Sequence, residues 1–212
     1  MSAIENYAFS EITSFKKNNI AIIGNMSSEF YEDLVSNLSW NDTIYIFDTA
    51  DNISKIEFLI RHTLNSNVKL ITYKCYTKKF DSYAWNLCLL ISDIKRLNLS
   101  LEIFTMVFYH GKLLFHSDIG LLQLCTKMIN DNGLLVVYDC DWSIAKSPTM
   151  NPKVDSNIKN LYTVEQINVP QIQFLLDNIL SNDFIEIFNI SSSKTKLFVK
   201  NKLSFLSGNG SD

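Results

Sequence analysis

Residues 20–48 read IAIIGNMSSEFYEDLVSNLSWNDTIYIFD, and this stretch decides the fold class. The four consecutive apolar residues 20–23 predict a strand buried on both faces, which is typical of a parallel sheet covered by helices. Gly24 then predicts a tight turn, residues 29–38 have the apolar spacing of a helix, and residues 43–47 predict a second strand. Because β-α-β units are right-handed and pack their helices on the sheet, the stretch predicts the start of a doubly wound α/β domain.

The same alternation continues along the chain. Further strands are predicted at residues 68–73, 101–109, 134–138, 184–190 and 196–200, and further helices at residues 53–64, 82–97, 117–129 and 170–180. Only the turn-rich residues 191–194 separate the last two strands, which predicts an antiparallel hairpin at the end of a parallel sheet. We therefore expect a Rossmann-like, mostly parallel sheet of about seven strands with helices on both faces.

Three parts are predicted: an N-terminal helical segment at 1–17, the α/β domain at 18–203, and a disordered tail at 204–212, which is rich in Gly, Ser and Asn. The apolar positions of the first segment share one face of a helix: Ile4, Tyr7, Ala8, Ile12 and Phe15. This face either covers the ligand site, covers a sheet edge, or contacts a second copy in a homodimer. Residues 143–168 are predicted to be a long irregular segment that serves as a lid or substrate wall.

Composition narrows the class of protein. Of the 212 residues, 47% are hydrophobic and 19% charged, which predicts a globular domain. The net charge is -3 and no more than two Lys or Arg residues are adjacent, so we expect neither nucleic acid nor an anionic membrane as the main partner. The chain does not open with a signal-peptide pattern, and its apolar runs are too short to span a bilayer, so we expect a cytoplasmic protein.

The turn after the first strand is a candidate ligand site. A glycine at the carboxyl end of a strand lets the backbone approach a ligand, and the following helix N-terminus favours polar or anionic groups. Gly24, Asn25 and Ser27 occupy this turn, and Ser27 or Ser28 suits the N-cap position of the helix. The alternative is a tight strand-to-helix turn that binds nothing.

Asp48 closes the second strand and is the best-placed ligand residue in the chain. A carboxylate at this position can accept hydrogen bonds from both hydroxyls of a ribose, in a nicotinamide dinucleotide or in S-adenosylmethionine. The alternative is that Asp48 only caps the next helix. At the end of the third strand, Tyr76 either stacks on an adenine ring or packs without a ligand.

Two further segments carry polar residues after the fourth and fifth strands. Tyr109 and His110 end the fourth strand, while Asp139, Asp141 and Trp142 follow the fifth. An imidazole close to a carboxylate can take a proton from a substrate hydroxyl, although a histidine in such a turn can equally be structural. A divalent metal needs several converging ligands, and these three ionisable side chains are too few, so we predict no metal.

Together, these segments and the terminal hairpin resemble the class I S-adenosylmethionine-dependent methyltransferases, and among them a small O-methyltransferase group with a D-G-x-H-type motif after strand four. The resemblance extends loosely over residues 18–200, and Asp139, Asp141 and Trp142 stand where the group has an acidic pair near an aromatic residue. Four positions lack the acidic or histidine residue of the family pattern: Ile22, His110, Lys112 and Leu113.

The resemblance implies a methyltransferase that uses S-adenosylmethionine and methylates a hydroxyl, or an amine, of a small molecule such as a sugar or secondary metabolite. The implied cofactor-binding residues are Gly24, Asn25, Ser27, Asp48, Tyr76 and Tyr109. His110 and Asp139 would be catalytic, and Asp141 and Trp142 would contact the acceptor. Two alternatives stay open: a catalytically degenerate partner-binding protein, which the four departures favour, and an NAD(P)-dependent oxidoreductase, which the missing G-x-G-x-x-G motif disfavours.

Overall fold

The computed structural model describes residues 3–39, 41–63, 68–76, 82–180, 183–187 and 194–201. Its strands are β1 (Asn19–Ile23), β2 (Thr43–Thr49), β3 (Lys69–Cys75), β4 (Phe104–Tyr109), β5 (Ile129–Val137), β6 (Phe184–Glu186) and β7 (Lys196–Lys200). Its helices are α1 (Ala3–Ile12), α2 (Ser28–Ser36), α3 (Ala50–Thr63), α4 (Ser82–Arg96), α5 (Phe115–Met128), α6 (Ile158–Leu161), α7 (Val164–Asn168) and α8 (Gln171–Ile179). The predicted tail and most of the predicted hairpin turn lie outside the described residues.

The seven strands form one sheet in the order β3-β2-β1-β4-β5-β7-β6. The first five strands are mutually parallel, while β7 runs antiparallel to both β5 and β6. This confirms the predicted doubly wound sheet with a terminal antiparallel hairpin, and it is the class I methyltransferase fold. Because β1 lies between β2 and β4, the loops that follow these three strands meet at one edge of the sheet.

The sheet is covered on both faces, as its apolar strands predict. On one face, Ala21 and Ile23 of β1 pack in a core with helices α4, α5 and α8. On the other face, Ile20 and Ile22 pack with α1, α2 and α3. Helix α1 belongs to this second core, where the ring centroids of Phe9 and Phe108 lie 5.6 Å apart. The N-terminal segment therefore covers a face of the sheet.

Three segments differ from the prediction. β4 begins at Phe104 and not at residue 101, and the amide of the preceding residue, Ile103, donates to the carbonyl of Met128, the last residue of α5. β5 begins at residue 129, earlier than predicted, directly after α5. Residues 143–168 are not irregular throughout, since they contain a 3-10 turn, α6 and α7, held on a small apolar cluster of Ile144, Ile158 and Ile167. Among the described residues, none of the helices is long and apolar enough to cross a membrane.

Candidate functional site

Gly24 brings the loop after β1 into direct contact with the loop after β4. Its φ is +94°, and a Cβ atom there would lie 1.7 Å from the carbonyl oxygen of His110. The contact is fixed on both sides, because the amide of Gly24 donates to Phe47 at 3.0 Å and the amide of His110 donates to Ile23 at 2.8 Å. The glycine is therefore required for the packing of two loops, whether or not a ligand lies above them.

His110 connects the loops that follow β1, β4 and β5. Its Nδ1 atom lies 3.0 Å from the carbonyl oxygen of Asn25, and its Nε2 atom lies 2.8 Å from Oδ2 of Asp139. Asp139 is thus the acidic residue after β5 that lies next to His110, as the sequence predicts. Both side chains keep contact with solvent, with exposed fractions of 28% for His110 and 42% for Asp139, so a substrate hydroxyl can reach the pair.

The hydrogen bonds of His110 favour its charged form. Because both ring nitrogens face oxygen acceptors, both donate only when the imidazole is protonated. The hydrogen bond to Asp139 raises the pKa of His110 above its ordinary value, against the opposing effect of burial. The same bond lowers the pKa of Asp139. Both shifts favour an imidazolium paired with a carboxylate, and His110 can accept a proton only in its neutral form.

Asp48 is buried at the end of β2, with 1% of its surface exposed. Its carboxylate accepts hydrogen bonds from the amide of Thr49 at 2.6 Å and from Nδ2 of Asn52 at 3.2 and 3.3 Å. Burial raises the pKa of Asp48, and these two donors oppose the rise. The bonds are local ones at the start of α3, as expected for the capping alternative, so ribose binding by Asp48 stays a prediction.

One hydrogen-bonded series runs along the carboxyl edge of the sheet. Nδ2 of Asn52 contacts Asp48 and also donates to Oδ1 of Asn25 at 3.0 Å, and the carbonyl of Asn25 faces His110. We call the five residues Asp48, Asn52, Asn25, His110 and Asp139 the edge series. The edge series follows the ends of β2, β1, β4 and β5, in the order in which these strands lie in the sheet. Many of the polar groups to which a ligand would bind therefore already form hydrogen bonds within the protein.

Two residues of this edge have strained backbones. Asp139 has a φ of +51°, and Leu113, in the loop after β4, has a φ of +63°. Residues other than glycine rarely adopt this left-handed region, and such strain concentrates at functional sites. The strain lies beside His110 and is consistent with a functional edge.

Tyr109, which was predicted to contact a cofactor, points into the core. It is fully buried, and its hydroxyl donates to Oδ1 of Asp118 at 2.5 Å. Asp118 is also fully buried and accepts from the amides of Lys112 and Leu114 at 3.0 and 2.8 Å. This pair shapes the loop after β4, where a Cβ on Gly111 would lie 2.0 Å from Asp118. Tyr109 has no exposed surface with which to make the predicted contact.

The other predicted residues lie around the edge. Ser27 is the N-cap of α2, and its hydroxyl accepts from the amide of Phe30 at 3.2 Å. Tyr76 follows β3 with 47% of its surface exposed. Asp141 forms an exposed ion pair with Lys146, and Trp142 packs partly buried against the Ile144 cluster. The structure brings Gly24, Asn25, Asp48, His110 and Asp139 together, while Asp141 and Trp142 turn towards the segment that follows β5.

Two cavities lie between helices that follow strands of the sheet, and the second shares Asn25 and Asn52 with the edge series. One, of about 290 Å³, lies between α5, α7 and α8 and is lined by Phe115, His116, Tyr162, Glu165, Gln166, Val169, Gln171 and Phe174. The other, of about 250 Å³, lies between the first turns of α2 and α3 and is lined by Asn25, Met26, Ser27, Ser28, Tyr31, Asn52, Lys55 and Ile56. No group of three His, Cys, Asp or Glu side chains that could hold a metal ion is found in the part of the chain that the structure describes.

Sequence reasoning missed Asn52, Asp118 and Tyr31. Asn52 and Asp118 lie in first turns of helices, where a polar residue usually signals only a helix start. Tyr31 lies among the apolar positions of α2 and was indistinguishable from a core residue. Its hydroxyl is nevertheless buried without a hydrogen-bond partner among the described residues. This orphaned donor beside the second cavity, together with the carboxylate of Asp48, fits a nucleoside cofactor with polar substituents.

Comparison with known proteins supports the fold and not a specific activity. The sequence matches no family model and no curated protein. Three solved structures are similar over 95% of this chain. A Staphylococcus aureus protein assigned as a caffeoyl-CoA O-methyltransferase has a TM-score of 0.55 and 12% identity, with 84% of that chain covered. A Bacillus cereus O-methyltransferase in complex with SAH has a TM-score of 0.53, 11% identity and 82% coverage, and a Clostridium thermocellum protein assigned as an rRNA methylase has a TM-score of 0.53, 12% identity and 98% coverage. The first and third are assigned to different acceptors, and at 11–12% identity the likeness indicates a shared fold.

Proposed function

We propose that the protein is an S-adenosylmethionine-dependent methyltransferase that methylates a hydroxyl of a small molecule. The observation that carries the proposal is the His110–Asp139 pair, which lies on the same carboxyl edge as Asp48 and is bonded to it through Asn25 and Asn52. In the class I methyltransferase fold, this edge is where a ligand lies between the ends of the strands. The similar O-methyltransferase from Bacillus cereus was solved in complex with SAH, which supports the choice of cofactor.

Asp48 would bind the ribose. Its carboxylate can accept two hydroxyl donors once the amide of Asn52 turns away from it, and Asn52 can then keep its bond to Asn25. Exchanging an amide donor for ribose hydroxyls keeps the buried carboxylate satisfied, so the exchange does not leave an unpaired charge in the core. S-adenosylmethionine supplies a methyl group on a sulfonium, which is already activated for displacement.

The His110–Asp139 pair would manage the proton of the acceptor. The two side chains are partly exposed, and Asp139 keeps the imidazole oriented through Nε2. Neutral His110, with its Nε2–H donating to Asp139, would accept the hydroxyl proton at Nδ1 once that atom has turned from the carbonyl of Asn25, and the carboxylate would stabilise the resulting imidazolium. Because the active form is the neutral imidazole, the rate should rise with pH through the raised pKa of His110.

The cavity between α5, α7 and α8 supports a small-molecule acceptor. Phe115, Tyr162 and Phe174 form its apolar walls, while Glu165 and Gln166 supply polar atoms. A concave site with aromatic walls and few polar groups is the usual form of a small-molecule pocket. Its volume of about 290 Å³ suits a molecule of one or two rings.

Calorimetric titration with S-adenosylhomocysteine tests the cofactor assignment. Asp48→Asn should weaken binding by about tenfold or more, because a hydrogen bond to a charged acceptor contributes about 1.5–3 kcal/mol. Asp51→Asn is the matched control, since it removes the same charge from an exposed position three residues away. Equal affinities of the two variants would remove Asp48 from the ribose site.

A second function, binding of a partner without catalysis, is favoured by one observation. The edge series satisfies Asp48 and both ring nitrogens of His110 within the protein. A site that has lost its ligand would keep such internal bonds. Absence of any thermal stabilisation by S-adenosylmethionine, S-adenosylhomocysteine or NAD would support this function over the methyltransferase, since a ligand that binds the native state must raise its stability.

A further inference from the structure

The cavity between α5, α7 and α8 is built on the continuations of the two loops that carry His110 and Asp139. On one side, Phe115 begins α5 directly after the loop that follows β4. On the other side, the amide of Gln171 donates at 3.1 Å to the carbonyl of Trp142, three residues after Asp139. Oε1 of Gln171 accepts from the amide of Phe115 at 3.2 Å and so joins the two sides. A molecule in this cavity therefore lies against elements that continue both loops of the proposed catalytic pair.

The backbone amides at the walls of this cavity are already used within the protein. The amide of Phe115 donates to Gln171, and that of Gln171 donates to Trp142. The amide of Gln166 donates to Oγ1 of Thr163 at 3.2 Å. Amides at the start of a helix bind anions only when they lack such partners, and none of the eight residues that line the cavity is a lysine or an arginine. An anionic acceptor would therefore lose hydration without gaining a permanent positive charge as its partner.

The charge that the cavity does offer is negative. Glu165 is the only acidic residue that lines it, and no described residue forms an ion pair with this side chain. Aromatic rings form the opposite walls, where the ring centroids of Phe115 and Phe174 lie 5.9 Å apart. The faces of aromatic rings attract cations, as a carboxylate does. The walls thus match a molecule that combines an aromatic ring with a positive charge.

We propose that the methyl acceptor is a small aromatic molecule with a protonated amine, and that Glu165 binds this amine. This rests on the proposed function, because the hydroxyl that receives the methyl group belongs to the same molecule. The ammonium group donates charge-assisted hydrogen bonds to the carboxylate, while the aromatic part packs between Phe115 and Phe174. Glu165 is then a specificity residue, which selects the charge of the acceptor and takes no part in proton transfer.

Three phenols with a two-carbon chain test the charge of the acceptor, because they differ in the group that ends the chain. Tyramine has an ammonium group, tyrosol a hydroxyl, and 4-hydroxyphenylacetate a carboxylate. Calorimetric titration into the protein saturated with S-adenosylhomocysteine should give tyramine the highest affinity and 4-hydroxyphenylacetate the lowest. An ion pair with an exposed side chain corresponds to about 2- to 5-fold in affinity, so tyramine should bind more tightly than tyrosol by this factor.

Four variants separate the charge of Glu165 from the shape of the cavity. Glu165→Gln should remove the preference for tyramine over tyrosol, because it removes the charge and keeps the length of the side chain. Glu32→Gln, which removes an exposed charge from α2, is the matched control and should keep the wild-type order of affinities. His116→Gln should keep this order too. Phe174→Leu should weaken all three phenols by similar factors, since it changes an aromatic wall and no charge.

Three results would overturn the proposal. The first is binding of 4-hydroxyphenylacetate as tight as that of tyramine or tighter, and the second is a Glu165→Gln variant that still prefers tyramine. The third is failure of all three phenols to bind a protein that binds S-adenosylhomocysteine, which leaves the proposed cofactor site intact. If the wild-type protein does not bind S-adenosylhomocysteine either, the proposed function fails, and the proposal fails with it.

Discussion

Replacing Gly24 by alanine tests how the two central loops are held together. The added Cβ would lie 1.7 Å from the carbonyl oxygen of His110, far inside van der Waals contact, and the φ of +94° is unfavourable for any residue with a Cβ. The oxygen belongs to the backbone, and the amide of His110 is bonded to Ile23 at 2.8 Å, so the loop cannot yield without losing that bond.

The magnitude follows from these contacts. The left-handed conformation costs about 1–2 kcal/mol, and each backbone hydrogen bond lost as the loops separate costs about 1 kcal/mol or more. Gly24→Ala should therefore lower the free energy of unfolding by about 3 kcal/mol, which corresponds to a fall in melting temperature of about 6–12 °C for a domain of this size.

Urea and thermal unfolding of Gly24→Ala measure this effect, and Gly120→Ala is its control. Gly120 lies exposed in α5, and a Cβ there would meet nothing within 4 Å, so alanine should raise the stability by about 0.5–1 kcal/mol through its higher helix propensity. If Gly24→Ala unfolds within about 0.5 kcal/mol of the wild-type protein, the direct packing of the two loops is refuted.

Three further predictions concern single side chains. Tyr109→Phe leaves the buried carboxylate of Asp118 with one donor fewer and should cost about 1–3 kcal/mol in urea unfolding, and a neutral result would mean that this bond does not hold the loop. Ser27→Ala should cost about 1 kcal/mol by removing the N-cap, whereas Ser28→Ala, one position later, should cost far less, and equal losses would contradict the cap assignment. Because the folded pKa of His110 is raised, its pair with the neighbouring carboxylate stabilises the fold below the ordinary histidine pKa and loses this effect as pH rises through the raised value. His110→Gln should therefore destabilise the protein by about 1 kcal/mol or less near pH 6 and by less near pH 9, and a pH-independent loss would contradict the ion pair.

The parallel sheet and its two helix layers could be predicted because they depend on local patterns. Runs such as residues 20–23 are apolar at successive positions and must be buried on both faces, which leaves a parallel sheet between two helix layers. Only residues 191–194 separate the last two predicted strands, and a connection this short can join only antiparallel strands. The irregular segment at 143–168 was predicted less well, because α6 and α7 have four and five residues, too few for helical periodicity to be visible.

The site was predictable in position and not in detail. The ends of parallel strands share one edge, so Gly24, Asp48, His110 and Asp139 had to lie near one another. Which nitrogen of His110 faces which acceptor depends on long-range geometry that no local pattern contains. Tyr109 shows the same limit, because a tyrosine at the end of a strand can turn to solvent or to the core. Only the position of Asp118, nine residues later, decides it.

A crystal structure of the protein with S-adenosylhomocysteine tests the central claim most directly, namely that the carboxyl edge of β1, β2 and β4 is a cofactor site. We predict the nucleoside along this edge, with the ribose hydroxyls on Asp48 in place of the amide of Asn52. Density for the ligand elsewhere, or a saturated protein whose edge series keeps all its internal bonds, would contradict the claim.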